Sequence, residues 1–301
     1  MALVDDIRAA CARVAERARH VAIDHDAVPA YANSLDLAAV PDAPDPDTHF
    51  VGGSLEDRAA YTITLDAINF GSGWFPTLRK RDGRSGYFTV AAGVRDRFVK
   101  LGPWTPRDLA RMEAPEIAAW LGQDPAHELM GLFAAALREL GERMGSTYLA
   151  LARGSESAVE LAERMARWPT WRDVSVHDGE EVPFFKRAQI LAADLVLAGV
   201  ADYPDLDRLT LFADNLVPHV LRLDGVLRFD DDLIARIDRG DLLEHGSPEE
   251  VEIRACALHA VELIAADTGA PPYRLDYLLW NRGQNAQYKR APRHRARCTA
   301  Y

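Results

Sequence analysis

Cysteine is scarce in this chain: three residues in 301, Cys11, Cys256 and Cys298, odd in number and far apart. That argues against a disulfide framework and for incidental or buried thiols in a reducing compartment. Long apolar runs are absent, so no segment is expected to span a bilayer. The opening Met1-Ala2-Leu3-Val4-Asp5-Asp6 carries acid where a secretory signal carries base. Base is outnumbered by acid, 35 Lys and Arg against 46 Asp and Glu, for a formal net charge of −11. Gripping long nucleic acid needs a basic footprint, so a polymeric nucleic acid partner is not expected. These absences predict a cytoplasmic globular protein that does not bind membrane.

Signature motifs are missing too. There is no Cys-x-x-Cys, and His127-Glu128 lacks the second His of a zinc-protease helix. The nine histidines form no ligand set with spaced carboxylates, so no metal site is expected. Gly71-Ser72-Gly73 is followed by neither a phosphate-loop Lys nor a dinucleotide fingerprint, and its Ser is not framed as a nucleophile elbow. Nucleoside triphosphate, dinucleotide and serine-hydrolase chemistry are all disfavoured.

What is present is mostly helical pattern. Apolar residues recur at helical spacing over 3–19, 125–142 and 155–168. Thr105-Pro106-Arg107-Asp108 reads as a helix start. Ser247-Pro248-Glu249-Glu250 reads as a capping box opening a helix that runs to about Thr268, where Gly269 ends it. The segment from Asp173 to Pro183 alternates around Asp178-Gly179, which predicts a small hairpin. A helix over 184–199 follows it, and a short helix or turn covers Tyr273 to Trp280. The expectation is one mainly α domain over 1–301 with a minor β-hairpin. Residues 1–50 supply an N-terminal helix and a Pro/Asp-rich connection at 40–48.

Four constellations carry chemistry. The richest runs from Phe184 to Asp194 and resumes at Leu211 to Pro218, with Lys186, Arg187, Gln189, Asp194 and Asp214 set in very apolar sequence. A carboxylate there is costly to bury unless something pairs with it, and such groups concentrate at functional sites. Arg187 and Asp194 are expected to share a helix face; a structural ion pair competes with a ligand site as their explanation. Asp214 falls at a break between helices, where a cap and a catalyst are compatible roles. A second constellation, Asp66 to Phe75, joins the polar Asp66 and Asn69 to Phe70, Trp74 and Phe75; it fits a base sandwich and a packed helix end about equally. Glu250 and Arg254 have the spacing of an i,i+4 pair, and Asp276 and Trp280 lie one turn apart. The basic run at 289–297 is either a solvated tail or a site for a small anion.

In this order the blocks resemble the queuosine salvage family, the queuosine 5′-phosphate N-glycosidases. The matching segments are Phe184–Asp194, Phe212–Pro218, Glu250–Arg254, Leu275–Trp280 and Arg295–Tyr301. The resemblance implies a helical fold related to the helical DNA glycosylases and a cofactor-free hydrolysis of queuosine 5′-monophosphate to queuine and ribose 5-phosphate. It implies Asp214 as the catalytic carboxylate. On that reading Asn69, Phe70, Trp74, Asp194, Asp276 and Trp280 are candidates to hold the base, and Lys186, Arg187, Arg295 and Arg297 the phosphate. One block departs from the family pattern: Ile68-Asn69-Phe70-Gly71-Ser72-Gly73-Trp74-Phe75 is longer by two glycines, which bears on substrate identity. The alternatives are an N-glycosidase for another 7-deazapurine nucleotide and a non-catalytic binding protein. Oligomeric state is left open.

Overall fold

A computed structural model describes residues 3–301. Among them are fifteen α-helices and four short strands. The first nine helices are α1 (Leu3–Arg17), α2 (Val28–Ser34), α3 (Leu55–Ala67), α4 (Gly86–Leu101), α5 (Pro106–Leu109), α6 (Ala114–Leu121), α7 (Glu128–Arg143), α8 (Tyr148–Arg153) and α9 (Ala158–Ala166). After them come α10 (Lys186–Leu197), α11 (Val217–Leu223), α12 (Asp231–Arg239), α13 (Pro248–Thr268), α14 (Pro272–Arg282) and α15 (Ala286–Arg290). Strand β1 (Val21–Ile23) pairs antiparallel with β4 (Leu227–Phe229), Val21 opposite Phe229. Strands β2 (Val174–His177) and β3 (Glu180–Pro183) form the expected hairpin. Asp178 and Gly179 turn it with φ of 49° and 82°, the positive pair that a two-residue hairpin loop demands.

Local chemistry sets the helix ends. Helix α1 stops at Arg17, short of the expected 19, because Glu252 on α13 takes the Arg19 and His20 amides at 2.9 and 2.6 Å. Helix α7 starts at Glu128 because the His127 ring accepts the Leu129 amide. Helix α10 starts only at Lys186, since Phe185 is left-handed with φ 48°. Thr105 and Asp108 cap α5 reciprocally. At α13 the box is half made: Ser247 accepts the Glu250 amide, but the Glu250 carboxylate turns to the Gly246 amide at 3.0 Å.

Helix α13 is buried on nearly every side from Glu250 to Val261, as befits a central helix. Helices α1, α2, α11 and α14 pack on it, while α3 packs against α4, α7, α8 and α10. One continuous apolar core joins both groups. The basic run at 289–297 is not a solvated tail. The chain folds back so that the Leu243 amide donates to Arg295 O (2.8 Å), Asn215 Nδ2 to His294 O (3.1 Å) and the Gly71 amide to Tyr301 O (2.8 Å).

That return explains the extra glycine at 73, while its own positive φ and the approach of α7 explain Gly71. Gly71 has φ 97° against Leu129, and a Cβ on Gly73 would lie 2.3 Å from Ala296 O. Gly73→Ala is expected to lower stability by about 1–3 kcal/mol, since backbone must move to admit the methyl. Urea unfolding checks it, and an unchanged midpoint would show that the 71–75 loop and the returning chain do not meet as described.

Candidate active site

Helix α10 presents Lys186, Ile190 and Asp194 on one face, at the four-residue spacing of a helical stripe. They border a cavity of about 590 Å³. The end of α3 adds Asp66 and Asn69, the extended stretch before α11 adds Phe212 and Asp214, and α14 adds Asp276, Tyr277 and Trp280. The returning chain brings Arg293 and Arg295, and the Pro/Asp-rich connection closes a wall with Pro41, Pro44 and His49. The first fifty residues therefore help to build the cavity.

Electrostatics orders this space. The Lys186 ammonium is buried and donates to Asn69 O at 3.0 Å. Burial pulls its pKa down, while Asp214, Asp66 and Asp276 support its charge. Asp66 is pushed well above the ordinary carboxylate range by burial and by Asp194. Burial raises Asp194 to about 6, although the Tyr277 hydroxyl donates to it at 2.5 Å. Asp276 is pushed well up by burial and by Asp214, and it accepts the Phe212 amide at 3.2 Å. Asp214 Oδ1 accepts the Leu216 and Val217 amides at 2.7 and 3.2 Å, holding the carboxylate just before α11 without being its cap residue. Asp214 acts on Arg293, whose half-buried guanidinium is lowered by desolvation and supported by Asp214. Arg293 and Arg295 both act on Lys80. The charges that act on one another thus run from Asp66 and Asp194 through Lys186 and Asp276 to Asp214, and from Asp214 to Arg293 and Arg295.

Of the residues singled out by sequence, Asn69, Phe70, Lys186, Asp194, Asp214, Asp276, Trp280 and Arg295 border the cavity. Three do not. Arg187 points the other way: it donates to Ala67 O at 2.6 Å and to Thr170 O, with its guanidinium 4.8 and 5.0 Å from the Phe70 and Trp171 rings. Its donors serve the fold rather than a phosphate, and it does not share a face with Asp194. Trp74 is buried beside Glu128, to which its indole donates at 2.8 Å. Arg297 lies outside, 5.8 Å over the Trp74 ring and 3.7 Å from Glu128. Phe70 spends its ring on Phe133, 5.1 Å away. The aromatic wall is instead Trp280 with Tyr87 and Phe88, at 5.3 and 5.6 Å. Sequence reasoning missed Tyr87, Tyr277 and Arg293. Tyr277 and Arg293 sit inside blocks already singled out; Tyr87 carries no local signal.

Fold and cavity together describe a mainly helical protein with a carboxylate-lined cavity of small-molecule size. The chain belongs to the queuosine salvage family: the model described as "Queuosine salvage protein" matches residues 49–301. A Sphaerobacter thermophilus protein named queuosine 5′-phosphate N-glycosylase/hydrolase is 34% identical, covering 96% of this chain and 95% of its own. A Mus musculus protein of the same name is 29% identical over 96% of each. A Bos taurus one is 34% identical over 53% of each. Among the described residues no helix is long and apolar enough to cross a membrane.

The raised Asp194 carboxyl has a consequence for stability. The native state holds its proton up to about pH 6, while the unfolded chain releases it near 3.8. This contribution is therefore complete below about pH 4 and is lost as pH rises through about 6. Urea unfolding across that window should show the native protein losing stability relative to Asp194→Asn; parallel curves would remove Asp194 as the cause.

Proposed function

We propose that this chain hydrolyses the N-glycosidic bond of queuosine 5′-monophosphate, releasing queuine and ribose 5-phosphate without a cofactor. The observation that carries the reading is the charge order of the cavity, which suits a nucleotide laid along it. Arg293 and Arg295 would take a phosphate, Asp214, whose charge supports that of Arg293, would face the sugar, and a carboxyl- and aromatic-lined space would take the base. The family membership and the names of the two full-length relatives support the same reading.

The bond between the anomeric carbon and the base nitrogen breaks with its electron pair going to the base, which leaves positive charge on the sugar. A 7-deazaguanine base has carbon in place of N7, so protonation there cannot help it leave. The burden shifts to stabilising the sugar cation and to hydrogen bonds at the remaining heteroatoms. Asp214, held by two backbone amides, supplies negative charge at the anomeric carbon and takes the proton of the attacking water. Asp276 is pushed toward its protonated form, so it can donate a hydrogen bond to the departing base. Trp280 and Tyr87 offer ring surface to the base, with Asn69 and Asp194 beside it. Arg295 and Arg293 take the phosphate in place of Arg187 and Arg297. Lys186 balances the carboxylates between them.

The test is base release from queuosine 5′-monophosphate, queuosine and guanosine monophosphate, with Asp214→Asn alongside. The expected result is release from the queuosine nucleotide, reduced about 10³-fold in the variant with nucleotide binding and melting temperature retained. Near-normal turnover by the variant removes Asp214 from the mechanism. Tight binding without release by the native protein makes this chain a binding protein, and release from guanosine monophosphate alone makes it a different N-glycosidase.

A further inference from the structure

Where the base would lie, Asp66 and Asp194 form an arrangement to which the hydrolysis above gives no chemical role. Asp66 is buried and Asp194 half-buried, both border the cavity, and the Asp194 charge works against a negative charge on Asp66. Asp66 Oδ1 accepts a long bond of 3.3 Å from Asn69 Nδ2. Its other oxygen, Oδ2, is buried and has no hydrogen-bond partner among the described residues. Native proteins seldom leave a buried polar atom in that condition without a ligand, water or chemical role to account for it.

The surroundings do not supply the missing partner. The Tyr87 hydroxyl bonds with His49 Nε2 at 3.0 Å, and the Tyr61 hydroxyl donates to Ala91 O at 3.2 Å. Tyr277 serves Asp194. Lys186, the cation at this point of the cavity, is shared among Asp66, Asp214 and Asp276 and already donates to Asn69 O. Two carboxyl groups facing one space with an unpartnered acceptor call for a cationic donor. An arriving ammonium would satisfy Oδ2 and relieve the repulsion between the pair. Asn69 holds the Asp66 carboxyl group and Tyr277 that of Asp194.

We propose that Asp66 and Asp194 are the counter-ion site for a protonated alkylamine carried on the base. This rests on the functional reading above and deepens it: the enzyme would select 7-deazapurine nucleotides with a cationic arm over neutral ones of similar size. The arm of queuosine, which carries a secondary amine next to the ring, has that chemistry, and so does a simple aminomethyl substituent.

The experiment compares two synthetic nucleotides, 7-aminomethyl-7-deazaguanosine 5′-monophosphate and its neutral 7-cyano counterpart, with queuosine 5′-monophosphate as reference. In the native protein kcat/KM for the aminomethyl compound should exceed that for the cyano compound by at least about tenfold. In Asp66→Asn and Asp194→Asn that ratio should fall to about threefold or less. A ratio taken within one protein is insensitive to loss of folded material, and melting temperatures check the fold separately. A native protein that hydrolyses queuosine 5′-monophosphate yet treats the two analogues alike overturns the proposal, as does a ratio unchanged in both variants. If the native protein hydrolyses none of them, the functional reading fails, and the same ratio taken from calorimetric Kd values still decides for or against the counter-ion site.

Discussion

The Arg254 guanidinium meets the Asp173 carboxylate through two parallel bonds of 2.9 and 2.7 Å, where neither side chain reaches solvent. Taking two charges out of water is expensive, and a pair of this kind persists only when its remaining donors and acceptors are also satisfied. They are. Arg254 Nε donates to Ala213 O at 3.0 Å, Asp173 Oδ2 also accepts the Lys186 amide at 3.0 Å, and Glu250 stands 3.8 Å from the guanidinium. The Phe184 and Tyr301 rings lie 3.9 and 4.6 Å from it. This one pair therefore joins the central helix, the foot of the hairpin, the first turn of α10, the residue before Asp214 and the returning chain. Asp214 and Lys186 owe their positions to it, and losing one partner would strand a buried charge at a cost of about 3–5 kcal/mol.

Beyond that anchor the cavity is under electrostatic tension. Four carboxyl groups, Asp66, Asp194, Asp214 and Asp276, border a space whose interior cation is Lys186. Desolvation raises Asp66, Asp194 and Asp276 and lowers Arg293, so the protein alone works against negative charge on these acids and positive charge on that arginine. A ligand with a cation at one end and a phosphate at the other discharges both imbalances. The tension that weakens the protein by itself is then available for recognition, in keeping with the usual opposition between a stable fold and a prepared site.

Much of the architecture was legible in the residues because its causes are local. Asp178-Gly179 specified its turn, Thr105 and Gly269 marked helix ends, and α13 was recognisable from its cap and length. The segments 184–194 and 211–218 stood out because charge in apolar sequence must answer to something, and both border the cavity. What could not be read depended on distant partners. Whether Lys186 or Arg187 faces the cavity hinges on the left-handed Phe185, whose amide is tied to Asp173 O twelve residues earlier. Trp74 had the chemistry of a base platform, but Glu128, fifty-four positions away, claims its indole. The 289–297 run has the composition of a tail, yet Leu243 and Asn215 hold it in place. Spacing along a chain reports faces and caps; it says little about which of two adjacent side chains a remote acceptor will recruit.

The central claim is directional: the ligand lies with its phosphate at the arginines, its anomeric carbon at Asp214 and its base toward Asp66. A crystal structure of Asp214→Asn with queuosine 5′-monophosphate bound tests it most directly. The account predicts phosphate oxygens within hydrogen-bond distance of Arg293 and Arg295, the anomeric carbon about 3–4 Å from the substituted side chain at position 214, and the amine of the base between Asp66 and Asp194. A nucleotide bound the other way round, with its phosphate near Lys186 and its base at the arginines, would contradict it.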